Sequence, residues 1–242
     1  MKRVFDVLIA SIGLITTSPI LLGIALAIFA YDWHSPLYIS SRVGRGGRPF
    51  RMIKFRSMIV NADRTGVTST SAADSRITPV GRIVRRFKLD ELVQLWNVLE
   101  GKMSLVGPRP NVPSGVAVYT VEEMRLLGVR PGLTDFASIV FADEGEILQS
   151  RGDPDLAYDQ LIRPWKSRLG ILYVEKRSLW LDIKLVFWTA LAMLSRRRAL
   201  RAVARQLTRM DAPTALIRVV LREEELQPTP PPGATRVVTS RY

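Results

Sequence analysis

Val7-Leu8-Ile9-Ala10-Ser11-Ile12-Gly13-Leu14-Ile15-Thr16-Thr17-Ser18-Pro19-Ile20 opens a run that continues to Ala30 without one charged side chain. At about 1.5 Å per residue, such a run crosses a hydrocarbon core of about 30 Å if it forms one straight helix. Ser18-Pro19, near its middle, argues for another path. Proline removes a backbone donor and collides with the preceding turn, so the run is expected to kink into two halves, each too short to span alone. Lys2 and Arg3 precede the run and Arg42, Arg45, Arg48 and Arg51 follow it. Cationic flanks stay in the cytoplasm, which draws both ends to the same side. The expectation is a re-entrant hairpin over residues 1–35, kinked at Ser18 and Pro19. One span with a tolerated proline kink is the simpler alternative. A cleaved signal peptide fits less well, because no small-residue cleavage pattern follows and Tyr31-Asp32-Trp33-His34 has the composition of an interfacial belt.

The chain has 242 residues, with 35 Lys+Arg against 22 Asp+Glu, a formal net charge of +13, one His and no Cys. That excludes a disulfide framework, a thiolate nucleophile and a Cys-ligated metal centre. With His34 alone, a multi-histidine metal site lacks ligands and a Ser-His-Asp arrangement has a single candidate base. Acid-base or nucleophilic chemistry therefore falls mainly to carboxylates, hydroxyls or lysines. A hydrophobic content of 47% beside so much positive charge points to an anionic partner in a greasy setting.

Beyond the apolar run, Leu37 to Val43 and Pro49 to Arg56 read as two short strands around Gly44-Arg45-Gly46-Gly47-Arg48. No helix start follows that loop, so a hairpin turn is the better reading of it than a phosphate cradle. Asn61 to Ser75 is small and polar, hence a loop. Leu89, Leu92, Trp96 and Leu99 recur at helical spacing, with Gly101 placed to stop the helix. Thr120 and Glu123 form a capping-box pattern opening a short helix that ends at Gly128, and Asp153-Pro154 marks another helix start. Arg130-Pro131-Gly132 suggests a tight turn with glycine at positive φ.

Leu179 to Leu194 is strongly apolar apart from Asp182 and Lys184, and Arg196, Arg197, Arg198, Arg201, Arg205 and Arg209 follow it. Arg197, Arg201, Arg205 and Arg209 are four apart and line one helical face, away from Leu200, Val203 and Leu207. Over residues 196–226 this is the form of a basic amphipathic helix lying on anionic membrane lipids. A DNA-binding helix would leave the apolar run unexplained, so no nucleic acid partner is expected. Residues 227–242, with Pro228, Pro230, Pro231 and Pro232, read as a disordered tail.

Between Arg76 and Arg109 the cations Arg76, Arg82, Arg85, Arg86, Lys88, Lys102 and Arg109 surround Asp90-Glu91, the only adjacent acidic pair there. Arginine forks bind phosphate oxygens, and a carboxylate holds Mg²⁺ or attacks phosphorus. If a helix begins near Leu89, both carboxylates sit in its first turn, where acidic residues also occur for dipole reasons alone. From spacing only, that bland reading stands slightly ahead. Val106-Gly107-Pro108-Arg109-Pro110 reads equally as a rigid element presenting one arginine from a backbone fixed by two prolines and as a structural turn with a surface arginine. Lys54 and Arg56 alternate with Phe55, so both cations are expected on one strand face with the aromatic turned to the core.

Several motifs, in order, carry a resemblance. They are Lys54-Phe55-Arg56-Ser57-Met58, Arg76-Ile77-Thr78, Val80-Gly81-Arg82, Leu89-Asp90-Glu91-Leu92 and Gln94-Leu95-Trp96-Asn97-Val98-Leu99. Met103-Ser104-Leu105-Val106-Gly107-Pro108-Arg109-Pro110, Arg130-Pro131-Gly132-Leu133-Thr134 and Ser178-Leu179-Trp180-Leu181-Asp182-Ile183 complete the series. The chain resembles the bacterial sugar transferases over roughly residues 1–195, and more narrowly the monotopic polyprenyl-phosphate phosphoglycosyl transferases. The resemblance implies an α+β, mostly α fold: a re-entrant membrane helix hairpin, a small β-hairpin and a compact helical catalytic domain over residues 36–195 on the membrane surface. It places the protein on the cytoplasmic face of the bacterial inner membrane, in synthesis of surface glycoconjugates or exopolysaccharides.

By the same resemblance Asp90 is a nucleophile toward the β-phosphate of a UDP-sugar, Glu91 assists, and the pair holds Mg²⁺. UMP leaves, and polyprenyl phosphate takes the sugar phosphate from the aspartate. Arg85 and Arg109 would hold phosphate or nucleotide, with Lys54, Arg56, Arg82 and Asp182 as further substrate-binding candidates. A homodimer is left open. The chain departs from the family's pattern at Lys102, at Phe136-Ala137-Ser138-Ile139 and at Arg168-Leu169-Gly170-Ile171-Leu172, and it carries an extra segment from Asp143 to Trp165. Two alternatives stand beside this reading. A conventional glycosyl transferase finds only Asp153-Pro154-Asp155 for an Asp-x-Asp metal signature, and a basic membrane adaptor without enzymatic activity would need the dyad only as a helix cap.

Overall fold

The computed structural model describes residues 1–62, 74–149 and 152–240. The loop expected over Asn61 to Ser75 lies mostly outside the described residues. A single helix, α1 (Lys2–Asp32), takes up the whole apolar run with Pro19 inside it, and it is long and apolar enough by composition to cross a membrane. The proline is accommodated locally. Pro19 has no N–H for the Ile15 carbonyl, and the Ser18 hydroxyl donates to that carbonyl instead at 2.8 Å, while Thr17 bonds back to Gly13 at 2.6 Å. Ser18-Pro19 is thus a matched pair, in which the hydroxyl satisfies the acceptor that the ring orphans.

Only Asp6, Ala10 and Ile28 of α1 are buried, while Ile15, Leu22, Leu26 and most other large apolar side chains stay exposed. Both ends of the helix nevertheless fasten to the same body. At the start, Lys2 Nζ donates to Asp182 at 2.6 Å and to the Val106 carbonyl at 3.1 Å, and Arg3 donates to the carbonyls of Val98 and Leu99. The fully enclosed Asp6 carboxylate accepts from Ser104 Oγ and the Leu105 N–H. At the far end Arg56 grips Asp32 with two nitrogens, at 2.5 and 2.6 Å, and Ile28 packs with Phe55 and Val84.

The expected hairpin forms from β1 (Leu37–Val43) and β2 (Pro49–Phe55), antiparallel, with Tyr38 opposite Lys54 and Arg42 opposite Phe50. Its turn is a 3₁₀ segment with Gly46 and Gly47 at φ 68° and 75°. Helix α2 (Pro79–Arg86) is capped by Thr78, whose hydroxyl accepts from the Gly81 N–H at 2.9 Å. Lys88, at φ 55°, turns the chain into a 3₁₀ helix (Leu89–Gln94) that runs on into α3 (Leu95–Leu99). Gly101 then ends the helix at φ 80°, as its position suggests. The outer edge of β2 is sealed by Asn97, whose amide bonds the Ile53 N–H and the Arg51 carbonyl.

A second, two-stranded sheet pairs β3 (Ser104–Val106) in parallel with β4 (Gly132–Thr134). Here the expected tight turn with positive φ at Gly132 is corrected. Gly132 lies in the strand, and a Cβ there would stand 2.1 Å from the Gly107 nitrogen. Glycine is needed for backbone contact rather than for turning.

Short helix α4 (Pro113–Ala117) is followed by a 3₁₀ helix (Glu123–Gly128) that opens on the expected capping box, Thr120 N–H to Glu123 at 3.0 Å and Glu123 N–H to Thr120 Oγ1 at 3.1 Å. Helices α5 (Phe136–Val140), α6 (Glu144–Gln149) and α7 (Pro154–Ala157) follow, and α7 continues through a π turn (Tyr158–Ile162) into α8 (Arg163–Lys176). Phe136, Leu169 and Tyr173 are central to the main core, together with Leu185 of α9 (Leu179–Leu194) and Leu207 of α10 (Arg196–Thr208).

On α10 the exposed arginine face forms as expected, but Ala199, Leu200, Val203, Ala204 and Leu207 pack into the protein's own core. The apolar side that would insert into a membrane is therefore occupied by α5, α9 and α11 (Thr214–Leu221). Exposed apolar surface lies instead on α1 and on Trp180, Phe187 and Leu194 of α9. The stretch from Gln227, expected to be disordered, is irregular but held. Thr229, Pro230, Pro232 and Val238 all hydrogen-bond to the body.

Candidate active site

Asp90 is 9% exposed, and no hydrogen bond or ion pair to another described residue engages its carboxylate. It caps nothing, and the residue in the capping position, Lys88, makes no side-chain cap bond either. Both carboxylates do occupy the first turn of this helix, as the dipole reading expects, without a capping hydrogen bond. Burial pushes the Asp90 carboxyl above the usual carboxylate range and the neighbouring Glu91 charge adds to the rise, while Lys54, Arg85 and Lys88 oppose both. The result is a carboxylate without a bonded partner, faced by cations that keep its ionisation accessible.

Glu91 is in the opposite condition. Arg109 reaches it with a fork, Nη2 to Oε1 at 2.6 Å and Nη1 to Oε2 at 2.9 Å. Burial raises the Glu91 carboxyl, but the Arg109 charge and its two hydrogen bonds outweigh that and hold it below the ordinary glutamate value. Arg109 is fixed from the other side too, since Nη1 also donates to the Leu133 carbonyl at 2.8 Å. The arginine projects directly after β3, where the Gly132 N–H bonds the Pro108 carbonyl at 3.0 Å, so the rigid presentation, one of the two readings of Gly107-Pro108-Arg109-Pro110, is present.

The other candidates divide. Lys54 points with Tyr38 toward the dyad, its ammonium 5.2 Å from the Tyr38 ring centre, and burial followed by the nearby Arg42 charge lowers its pKa. Arg85 is half-buried and acts on both Asp90 and Lys54. Arg82 is exposed and is not among the largest electrostatic influences on either carboxylate. Arg56 does not share the Lys54 face, because β2 ends at Phe55 and the guanidinium turns to Asp32 and the Ser35 carbonyl. Asp182 is 1% exposed and accepts from Lys2 and from Tyr173 at 2.6 Å each, while Tyr173 also donates to the Val106 carbonyl. It locks the start of α1 to the strand that leads to Arg109. The carboxylate of Asp153 caps α7 by accepting from the N–H groups of Asp155 and Leu156, which is the role its proline neighbour suggests.

Three groups missed in the linear reading act on the residues of the site. Arg42 lies on the β1 face shared by Tyr38 and Ser40, with its charge acting on Arg109 and Glu91. Tyr158 and Lys166 come from the extra segment and the helix after it. The Lys166 ammonium stands 5.3 Å from the Tyr158 ring centre and pairs with Glu144, and Arg42 and Tyr158 act on each other. Strand alternation from Tyr38 would have found Arg42. Nothing in the spacing marks Tyr158 with Lys166, because a π turn intervenes. The site thus sets one carboxylate without a bonded partner among the described residues and one arginine-held carboxylate in the field of Lys54, Arg85 and Arg42, with Lys166 facing Arg109, a charge pattern suited to an anionic phosphate substrate.

For Mg²⁺ the donor chemistry fits. That ion takes one or two carboxylates and completes its shell with water and substrate phosphate. Asp90 and Glu91 can supply this set, and no cluster of three acidic or histidine groups offers another among the described residues.

Comparison with known proteins gives concordant results. The bacterial sugar transferase model matches residues 1–196. UDP-N-acetylgalactosamine-undecaprenyl-phosphate N-acetylgalactosaminephosphotransferase of Aeromonas hydrophila is 34% identical over 198 residues, covering 81% of this chain and 44% of its own length. UDP-glucose:undecaprenyl-phosphate glucose-1-phosphate transferase of Escherichia coli is 37% identical over 201 residues, covering 78% of this chain and 39% of its own. The protein of the same name from Caulobacter vibrioides is 36% identical over 197 residues, with 80% of this chain and 70% of its own covered. The chain therefore spans less than half of the first two relatives and most of the third.

Proposed function

The chain belongs to the bacterial sugar transferase family, and on that premise we propose that it moves a sugar 1-phosphate from a UDP-sugar to undecaprenyl phosphate, with UMP released. The observation that carries the reading is the asymmetric dyad, with Asp90 unpaired and Glu91 held by the Arg109 fork. An Asp90 oxygen attacks the β-phosphorus, the bond from that phosphorus to the bridging oxygen breaks, and UMP departs with the bridging oxygen. A phosphate oxygen of undecaprenyl phosphate then attacks the same phosphorus and frees Asp90, so one difficult transfer becomes two. Lys54, Arg85 and Arg42 hold the phosphates and stabilise charge as it moves to the leaving group. Glu91 and Arg109 position the reacting phosphate beside the nucleophile. Asp90 and Glu91 would hold Mg²⁺, which would supply charge neutralisation of the diphosphate.

The same reading makes α1 re-entrant and seats the protein on the cytoplasmic face of the bacterial inner membrane. Its support is that the two ends of α1 bind one globular body, through Lys2 with Asp182 and Asp32 with Arg56. The exposed arginines of α10 then lie near anionic headgroups. The decisive experiment follows the nucleotide and the phosphosugar. Purified protein with undecaprenyl phosphate and a panel of UDP-sugars should release UMP for at least one donor, and label from a β-³²P donor should remain on the wild-type protein and not on Asp90→Asn. Release of UDP would indicate a conventional glycosyl transferase, and an active Asp90→Asn would remove the covalent route. For topology, cysteines placed at Lys2 and Ser40 should both react from the cytoplasmic side, and reaction from opposite sides would establish a span.

A further inference from the structure

The stretch after Gln227 lies outside the family-matched residues, and none of the chemistry above uses it. Yet it runs as a proline-rich strap across the body at specific points. The Thr120 hydroxyl donates to the Pro232 carbonyl at 2.5 Å, Arg168 donates to the Pro230 carbonyl at 3.0 Å, and Pro231 and Pro232 are buried. The two remaining bonds both converge on Gln160. Its carbonyl accepts from the Thr229 N–H at 3.0 Å, and its side-chain amide donates to the Val238 carbonyl at 2.7 Å.

Gln160 lies where one ordinary helical donor is absent. It lies in the π turn Tyr158–Ile162, where the Arg163 N–H reaches back to the Tyr158 carbonyl. At the α-helical distance the donor for the Gln160 carbonyl would be residue 164, which is Pro164 and has no N–H. The Thr229 N–H of the strap donates to this carbonyl from outside the helix. The first residue of that turn is Tyr158, whose ring lies 5.3 Å beneath the Lys166 ammonium, and the two neighbour the arginines of the site, Tyr158 acting on Arg42 and Arg109 on Lys166.

We infer that residues 227–238 are a positioning strap: by holding Gln160 they set Tyr158 and Lys166 to receive the nucleoside diphosphate part of the donor, a cationic and aromatic wall suited to phosphate and base. This inference rests on the transferase reading for its substrate but not for its mechanics. The strap touches neither Asp90 nor Glu91, so its contribution is to donor binding and not to the chemical step.

The test uses the full-length protein with Thr229→Pro, which deletes the one N–H between two existing prolines, and Thr229→Val, which keeps it. A chain ending at Leu226 is the third variant. Thr229→Pro and the shortened chain should raise KM for the UDP-sugar by about two- to tenfold, the range set by one hydrogen bond of ordinary net strength. The kcat at saturation and KM for undecaprenyl phosphate should stay at wild-type values, and Thr229→Val should match wild type. Amide exchange over residues 158–166 should quicken in Thr229→Pro and stay slow in Thr229→Val. Unchanged donor KM in the shortened chain, or a fall in kcat alone, overturns the inference. Should the wild type release no UMP from any donor, the transferase reading falls, and exchange still decides the strap: equal exchange in wild type and Thr229→Pro refutes it.

Discussion

Arg109 holds Glu91 by two parallel hydrogen bonds, at 2.6 and 2.9 Å, and uses the second of those nitrogens again on the Leu133 carbonyl. A guanidinium presents its donors in a rigid plane and an ammonium does not, so Arg109→Lys keeps the charge and loses the fork. Loss of one charge-assisted hydrogen bond, about 1.5–3 kcal/mol, corresponds to a fall of about 10- to 150-fold in kcat/KM. Steady-state UMP release measures this. A lysine variant within twofold of wild type would mean that charge alone, without the fork, is what the site requires.

Asp90 predicts a conflict between stability and function. Burial, and then Glu91, raise its carboxyl above the ordinary value, so folding shifts the group toward its protonated form. A group raised in this way favours folding below its unfolded pKa, and that contribution is lost as pH rises through the folded value. At neutral pH the ionised Asp90 is therefore a cost, which Asp90→Asn removes. The variant should be inactive and melt above wild type at pH 7, with the difference shrinking toward acid pH. Thermal melts at a series of pH values decide it, and a lower melting point for the variant at neutral pH would contradict the electrostatic account.

Lys54 tunes the same group. Its charge lowers the Asp90 pKa against the effects of burial and Glu91. Since the nucleophile works only when ionised, kcat/KM should fall on the acid side as Asp90 gains its proton. Lys54→Gln removes one opposing cation and should move that limb to higher pH, besides weakening phosphate binding at every pH. A lower but unshifted profile would leave Lys54 a binding group and nothing more.

How much of this was legible in the linear chain depends on the range of the interaction. The capping box of Thr120 and Glu123, the cap at Asp153 and the stop at Gly101 are local, and each formed as its spacing suggests. The hairpin follows from alternation and a glycine-rich turn. Asp182 and Arg56 looked like substrate groups because their charge and motif were visible while their partners, Lys2 and Asp32, lay 180 and 24 residues away. The amphipathic face of α10 had the right period, but periodicity says only that one side is covered and not whether lipid or protein covers it. Gly132 was assigned to a turn because the need for glycine through backbone contact with Gly107 leaves no local signature.

Gln94 offers the last test, and it distinguishes a structural amide from a working one. The residue is 1% exposed, and neither its side-chain oxygen nor its nitrogen has a hydrogen-bond partner among the described residues. It follows Asp90 and Glu91 by four and three residues on the same short 3₁₀ helix, where positions three apart eclipse. A buried amide without partners costs about 1–3 kcal/mol, so a chain that keeps one only for folding would gain by replacing it. Gln94→Leu, of similar size, should therefore raise the melting temperature by a few degrees, at roughly 2–4 °C per kcal/mol for a chain of this size. If the amide serves the reacting phosphate, the same variant should lose turnover, and Gln94→Glu should lose it too by adding charge beside the dyad. Melting and UMP release on one preparation separate the cases: a more stable Gln94→Leu with wild-type turnover would remove Gln94 from the site.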